Sequence, residues 1–206
     1  MLDALNAFVV LFVVLDPIGV AWLFAALTSG HTPLQQRRTA LRGVLLATMI
    51  MYLFFFFGNG LLHWMGIGLP AFRIAGGILL FLLSIEMVFA RQSGLRSTTK
   101  GEQDEAQHKH DISVFPLAFP LLAGPGALTT ILLMVGNIQS LGDRVVMATV
   151  ILLVSLVTLF ILLLAQTLSR LLGQTGANVV SRLLGLVLSA LAIQFVIDGI
   201  RLGFLQ

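Results

Sequence analysis

Long apolar stretches separated by short polar segments dominate the pattern of hydrophobic and polar positions along this 206-residue chain. Four stretches contain no Asp, Glu, Lys or Arg, at 17–36, 43–72, 112–142 and 145–169. Two shorter ones, 74–85 and 183–197, reach spanning length with their flanking apolar residues. Because a helix needs about 20 apolar residues to cross a bilayer, the pattern predicts six transmembrane helices. The predicted spans are 5–27, 39–65, 71–90, 114–135, 145–168 and 179–204.

The composition agrees with an all-α integral membrane protein and excludes a soluble domain. The chain is 58% hydrophobic and 10% charged, with a mean hydropathy of +1.01. It contains no cysteine, which excludes disulfides and thiolate metal sites. Before the first apolar run it carries Asp3 and no Lys or Arg, unlike the basic start of a secretory signal, so we expect the first span to stay in the mature protein.

Basic residues collect on one side of the predicted spans. Nine of the twelve Lys and Arg residues follow odd-numbered spans or precede even-numbered ones. The positive-inside rule then places both termini outside and the polar segment 91–112 in the cytoplasm. The sequence pI of about 10.2 therefore reflects topology, and the expected partner of this charge is the lipid bilayer rather than a nucleic acid.

The polar segment 91–112 is a predicted linker between two similar halves, 1–90 and 113–206. Placing Pro17 on Pro125, 108 residues later, also places Gly77 on Gly185. Each half holds three spans, an odd number, so two similar halves in series cross the membrane in opposite directions. The sequence therefore predicts two inverted-topology three-helix repeats.

A proline interrupts the first span of each half, within LDPIG at 15–19 and AGPGA at 123–127. Proline lacks a backbone donor, clashes with the preceding turn and biases its neighbour away from helical geometry. We therefore expect helices 1 and 4 to be broken near mid-membrane. Paired interruptions of this kind indicate the binding site of a transporter.

At the first break, Asp16 has two competing interpretations. It is an N-cap for a half-helix whose first residue is Pro17, or its carboxylate binds a cation, a proton or a substrate ammonium. Both roles are compatible, because a carboxylate accepts several hydrogen bonds. Gly19 completes this motif as a candidate substrate-binding residue, and the interpretation as a binding site is favoured because aspartate is strongly disfavoured inside a membrane.

The second break offers backbone rather than a carboxylate. Gly124, Pro125 and Gly126 allow close approach to a ligand, and the start of a half-helix favours a bound anion. Thr129 and Thr130 follow within the next turn, where their hydroxyls either contact substrate or bond back to the preceding turn. If both breaks line one cavity, it suits a small zwitterion, with its ammonium on Asp16 and its carboxylate on half-helix amides.

Glu86 and Gln194 occupy equivalent positions of the two halves and are candidates for a gate or a coupling-ion site. The alternative for Glu86 is a side chain solvated near the cytoplasmic surface. The histidines form no coherent metal site, so we expect neither a metal nor a cofactor beyond a coupling proton or sodium ion.

These features favour a secondary transporter over two other classes. A channel or ion exporter would need charge lining a pore, and with Asp16 alone deep in the membrane it would require a homo-oligomer. An enzyme would need a nucleophile and base at one depth, which the Ser and His residues do not supply. A nucleotide-binding GxxxxGK[ST] motif is also absent.

Three motifs together resemble the MarC family: LDPIG at 15–19, FPLLAGP at 119–125, and RLLG at 182–185 with AIQFVIDGI at 192–200. The resemblance implies a six-helix protein of the LysE-like exporter group in the bacterial inner membrane. It also implies transport of small neutral amino acids such as glycine and alanine, which some members move. Val20 stands where the family often has Asn, so the resemblance supports the fold more firmly than the substrate.

Overall fold

The chain folds as a helical bundle. The computed structural model describes residues 3–89, 112–136, 138 and 140–204, apart from the side chains of 172 and 204. Its helices are α1 Ala4–Leu15, α2 Pro17–Leu27, α3 Pro33–Trp64, α4 Leu69–Phe89, α5 Ser113–Leu122, α6 Pro125–Val135, α7 Leu141–Leu163 and α8 Ala165–Phe204. The predicted linker lies outside the described residues except for Ile112.

Each of the six predicted spans has a counterpart in the structure, which confirms the all-α membrane fold. Five segments are long and apolar enough to cross a bilayer: Ala4–Leu27, Pro33–Trp64, Leu69–Phe89, Leu141–Leu163 and Gly173–Gly203. The sixth is the pair α5 and α6, which bends by 52° at its break. The predicted fourth span is therefore the most sharply bent.

Two helices start well before the apolar segments that predicted them. α3 begins at Pro33 because Thr32 and Gln35 form a capping box, in which each side chain accepts from the other residue's backbone N–H. α8 begins at Ala165, and Gly173, with φ 60° and ψ −176°, breaks its geometry near the start of the apolar part. Hydropathy located the membrane crossings, whereas capping and a glycine kink set the actual helix limits.

α3 shows how these helices divide their faces between lipid and protein. The face packed against the bundle is rich in small residues, including Gly43, Ala47 and Gly58. The opposite face exposes large apolar side chains at four-residue spacing, namely Leu45, Met49, Leu53 and Phe57. Exposure of such a stripe suits a helix whose outer surface contacts lipid tails, while small residues let helices approach each other closely.

The helices that end the two halves, α4 and α8, pack closely against each other at glycines. A Cβ placed on Gly77 would lie 2.7 Å from the carbonyl oxygen of Ala192, and one placed on Gly185 would lie 3.2 Å from that of Ser84. Each glycine also faces the valine four residues beyond that carbonyl. The two sets of contacts exchange under a shift of 108 residues, the offset that aligns the halves in sequence.

The remaining helices connect to this pair through α1, α2 and α6. α1 contacts α6, α7 and α8, and α6 also packs against α3 and α4. The largest fully buried side chains are apolar and come from both halves: Leu11, Leu15, Met51, Leu80, Leu117, Leu122, Ile131, Leu133, Met147, Ile151, Leu162 and Leu188. This arrangement brings the C-terminal end of α1 close to the start of α6.

Candidate functional site

Asp16 occupies the break in the first span, where it ends α1 and begins α2. Its backbone N–H donates to Phe12 O at 3.0 Å, and its Oδ1 accepts from Gly19 N at 3.1 Å. Within the described chain it is the one non-glycine residue with positive φ, at 44°, a conformation that Asp tolerates better than most residues. Pro17 follows as the first residue of α2, so the predicted break and N-cap are both present.

The second carboxylate oxygen of Asp16 binds the other half of the molecule. Ser181 Oγ, on α8, donates to Asp16 Oδ2 at 2.9 Å, and Asp16 itself is only 3% exposed. Gly19 lies against both groups, because a Cβ there would lie 2.8 Å from Ser181 Oγ and would also approach the carboxylate. No local signal in the sequence points to Ser181, whose partner lies 165 residues away.

The second break is preceded by a segment with unusual winding. α5 is not a regular helix: Leu117 N donates to Ile112 O and Ala123 N donates to Ala118 O, both over five residues, while Phe115 and Phe119 have extended backbone geometry. Pro116 and Pro120 lie inside it, each directly after one of these extended residues. The break was predicted from the sequence but this irregular winding was not, although two prolines four residues apart were its signal.

Gly124 is the N-cap of α6 and contributes no side-chain hydrogen bond. A Cβ at this position would collide with the carbonyl oxygen of Pro120, so the tight approach of α5 to α6 requires glycine. Pro125 then starts α6. The first turn of α6 therefore has no side-chain cap, and the usual donors at a helix start are left for another partner.

The two breaks lie close together. A Cβ placed on Gly126 would lie 3.4 Å from Val14 Cγ1, two residues before Asp16. A small cavity of about 20 Å³ lies here, roughly the space of one water molecule. Its described lining is mainly apolar and consists of Val14, Leu79, Leu83, Pro120, Leu121, Leu122, Gly124, Pro125, Gly126 and Ala127. Asp16 is not part of this lining, so the structure holds the carboxylate beside the cavity rather than in it.

The two threonines of the second break have structural roles in this conformation. Thr130 Oγ1 donates to Gly126 O at 2.8 Å, which is the back-bonding alternative. The methyl group of Thr129 packs against Gly76 of α4. Both threonines are buried, and neither lines the small cavity.

The candidate gate residues have different surroundings. Glu86 is only 8% exposed, so its predicted alternative as a solvated surface carboxylate is wrong. Gln194 is exposed, and its Nε2 donates to Asp198 Oδ1 at 2.9 Å, one turn along α8. Neither residue lines the small cavity, and their role as a gate or coupling site stays a prediction.

Within the described ranges, no group of three or more His, Cys, Asp or Glu side chains is placed to hold a metal ion. What the candidate site offers instead is a buried carboxylate, held by Ser181 and Gly19, and an uncapped helix start that α1 approaches at Val14. The carboxylate suits a positively charged group, and the helix start suits a negatively charged one.

Comparison with known proteins finds relatives that match nearly the whole chain. A UPF0056 membrane protein of Methanocaldococcus jannaschii is 35% identical over 95% of this chain and 94% of its own length. UPF0056 membrane protein YhcE of Escherichia coli K12 is 34% identical over 94% of this chain and 90% of its own. YvbG of Bacillus subtilis is 31% identical, with coverages of 95% and 93%. No solved structure matches.

The family model of MarC family integral membrane proteins matches residues 3–204, which include both broken spans and the glycines of α4 and α8. The chain therefore belongs to the MarC family.

Proposed function

We propose that this protein is a secondary transporter that moves small neutral amino acids, or similar small zwitterions, by alternating access. The observation that carries this proposal is Asp16, a buried carboxylate at a helix break near the middle of the span Ala4–Leu27. An aspartate at the centre of a membrane helix costs about 2.5–3.5 kcal/mol on insertion scales. Capping alone does not require a charge, since a neutral Asn or Ser caps equally well, so a carboxylate at this depth supports a role beyond capping.

The second break supplies the opposite polarity. The uncapped start of α6 carries the positive end of a helix dipole and suits the carboxylate of the solute. Asp16 lies two residues beyond Val14, which approaches Gly126 in that turn, and its carboxylate suits the ammonium group. Gly124 and Gly126 carry no side chain, so a site that opens at the breaks suits a solute as small as glycine or alanine, whereas larger side chains would meet Leu83.

The packing of the two halves supports alternating access. The contacts of Gly77 and Gly185 exchange under the 108-residue offset, which is the relation that inverted repeats at 1–90 and 113–206 would produce. In this conformation the cavity at the breaks is about 20 Å³, too small for an amino acid. Transport therefore requires the halves to move apart around the breaks, and this closed site favours a carrier over an open channel.

The proposal includes an orientation and a coupling ion. The excess of basic residues on one side supports an orientation with both termini outside and 91–112 in the cytoplasm, in a bacterial inner membrane. Asp16 is the group we propose for proton coupling, with sodium as the alternative ion, and Glu86 and Gln194 as gating or coupling residues. Of the proposed solute ligands, Asp16, Pro17 and Gly19 belong to the first break, and Gly124, Pro125 and Gly126 belong to the second. Thr129 and Thr130, which were candidates from the sequence, are left out because they pack against Gly76 and bond to Gly126 O within the protein.

The test is counterflow of labelled alanine and glycine in liposomes that contain the purified protein, with and without proton or sodium gradients. We expect saturable counterflow, lowered at least about tenfold by Asp16→Asn, because a charge-assisted contact contributes about 1.5–3 kcal/mol. Asp3→Asn is the matched control, since Asn still caps α1 at its exposed end. Full counterflow in Asp16→Asn would contradict the site, and flux far above carrier rates would favour a channel.

A further inference from the structure

A second cavity lies away from the breaks, between the turn that joins α2 to α3 and the junction of α7 with α8. Its volume is about 630 Å³, within the range of small-molecule sites. Its described lining residues are Phe24, Ser29, His31, Pro33, Gln36, Arg37, Leu162, Leu163, Ala165, Gln166, Thr167 and Arg170. We propose that this cleft is a binding site for an anionic group, a carboxylate or a phosphate, and the inference does not depend on the proposed transport function.

The charge of the lining carries the inference. Arg37 and Arg170 enter the cleft from α3 and α8, and none of its described lining residues is an aspartate or glutamate. Two guanidinium groups across one cleft of low-dielectric walls concentrate anions there. Their planar donor arrays match carboxylate and phosphate oxygens in bidentate geometry.

Two further features point to the same ligand class. The first turn of α3 contributes Pro33 and Gln36 to the lining, and although the capping box occupies N–H groups there, the positive end of the helix dipole still favours an anion nearby. His31 Nδ1 is buried and has no hydrogen-bond partner in the structure. A buried ring nitrogen without a partner is costly, and an anion in the cleft would give a protonated Nδ1 an acceptor.

The walls of the cleft are held by amide side chains. Gln36 Nε2, on α3, donates to Thr28 O at 2.9 Å, and Gln166 Nε2, on α8, donates to Ala25 O at 3.4 Å. These bonds tie both arginine-bearing helices to the end of α2. The site is separate from Asp16, because Phe24 in its lining lies eight residues further along, about 12 Å of helix, and is only 2% exposed.

The absence of cysteine from the chain makes a direct test simple. Thr167→Cys places one exposed thiol in the cleft, and its labelling rate is measured with anionic and cationic methanethiosulfonates in phosphatidylcholine nanodiscs. We expect the anionic reagent to react about tenfold faster than the cationic one. After the substitutions Arg37→Gln and Arg170→Gln, we expect the two labelling rates to agree within about twofold. Arg38→Gln, which removes an equal charge from an exposed neighbour outside the lining, is the matched control and should keep the preference.

Competition experiments then distinguish an anion that binds in the cleft from one that is only attracted by the arginine charges. They also identify the source of the anion. Sodium acetate should slow labelling of the Thr167→Cys protein more than sodium chloride of equal ionic strength if a solute carboxylate binds. Phosphatidylglycerol in the nanodisc should slow it if a lipid phosphate binds. Protection by neither, or loss of the preference equally in Arg38→Gln, would overturn the proposal. A neutral thiol reagent, expected to react equally with all variants, checks that the arginine substitutions leave the cleft folded.

Discussion

Both helix breaks interrupt a membrane span at a proline, but side chains hold the first and backbone contact holds the second. At the first, Asp16 ends one helix, caps the next and is bonded by Ser181 from the other half of the chain. At the second, Gly124 caps without a side chain, and the close contact is with the backbone of Pro120. The Asp16 carboxylate at the first break therefore already accepts hydrogen bonds. At the second break, no side chain among the described residues accepts from the backbone N–H groups in the first turn of α6.

This difference teaches that the two halves have specialised despite their shared pattern. A break held by side chains can adjust through rotamer changes, at the cost of the hydrogen bond between Ser181 and Asp16. The second break is set by backbone contact, so it cannot adjust through a rotamer change. Substitutions at equivalent positions of the two breaks should therefore have unequal effects.

The largest difference should come from adding one methyl group to each break. Gly124→Ala drives a Cβ into the Pro120 carbonyl, and because backbone must move, we expect the free energy of unfolding to fall by about 1–3 kcal/mol and counterflow to be lost. Gly19→Ala meets only the side chains of Asp16 and Ser181, so we expect a loss of about 1 kcal/mol and a reduced, measurable counterflow. Unfolding titrations in mixed detergent micelles measure the first quantity.

Equal losses of stability in the two alanine variants would contradict the contrast. A stable and active Gly124→Ala protein would show that α5 and α6 separate easily, and that the backbone contact does not define the second break.

Ser181 provides the next test, at the first break alone. Ser181→Ala removes a donor from a buried carboxylate, and we expect the free energy of unfolding to fall by about 1–2 kcal/mol. In the Asp16→Asn background the same change should cost much less, because the charged acceptor is already gone. Ser181→Thr, which keeps the hydroxyl, is the control. An equal cost in both backgrounds would mean that Ser181 stabilises α8 independently of Asp16.

The elements that the sequence predicted well are those encoded locally. The spans follow from runs of apolar residues, and the first break follows from Asp16 and Pro17, whose capping geometry involves Gly19 only three residues away. The start of α3 was missed by six residues because the capping box at Thr32 lies outside the apolar window. Hydropathy reports the membrane crossing and not the helix.

The site was less predictable, because its decisive contacts are long-range. Ser181 approaches Asp16 from α8, and Gly76 meets Thr129 from another helix, with no signature near either residue. The two motifs predicted one cavity lined by both breaks. In the structure the cavity is lined by the second break, and Asp16 lies outside its lining. Motif spacing indicated which breaks would meet, but packing decided which groups face the space between them.

The smallest expected effects concern the hydroxyl groups of the second break, and they test whether that break acts through its backbone. The Thr130 hydroxyl returns to the Gly126 carbonyl, so Thr130→Val should change stability within about 0.5 kcal/mol, because such back-bonding contributes little to a helix. Thr129→Val keeps the methyl group that packs against Gly76. We expect both variants to retain counterflow of alanine within about twofold. Loss of counterflow in Thr129→Val with unchanged stability would instead make its hydroxyl a ligand of the solute, and the second break would then resemble the first in using a side chain.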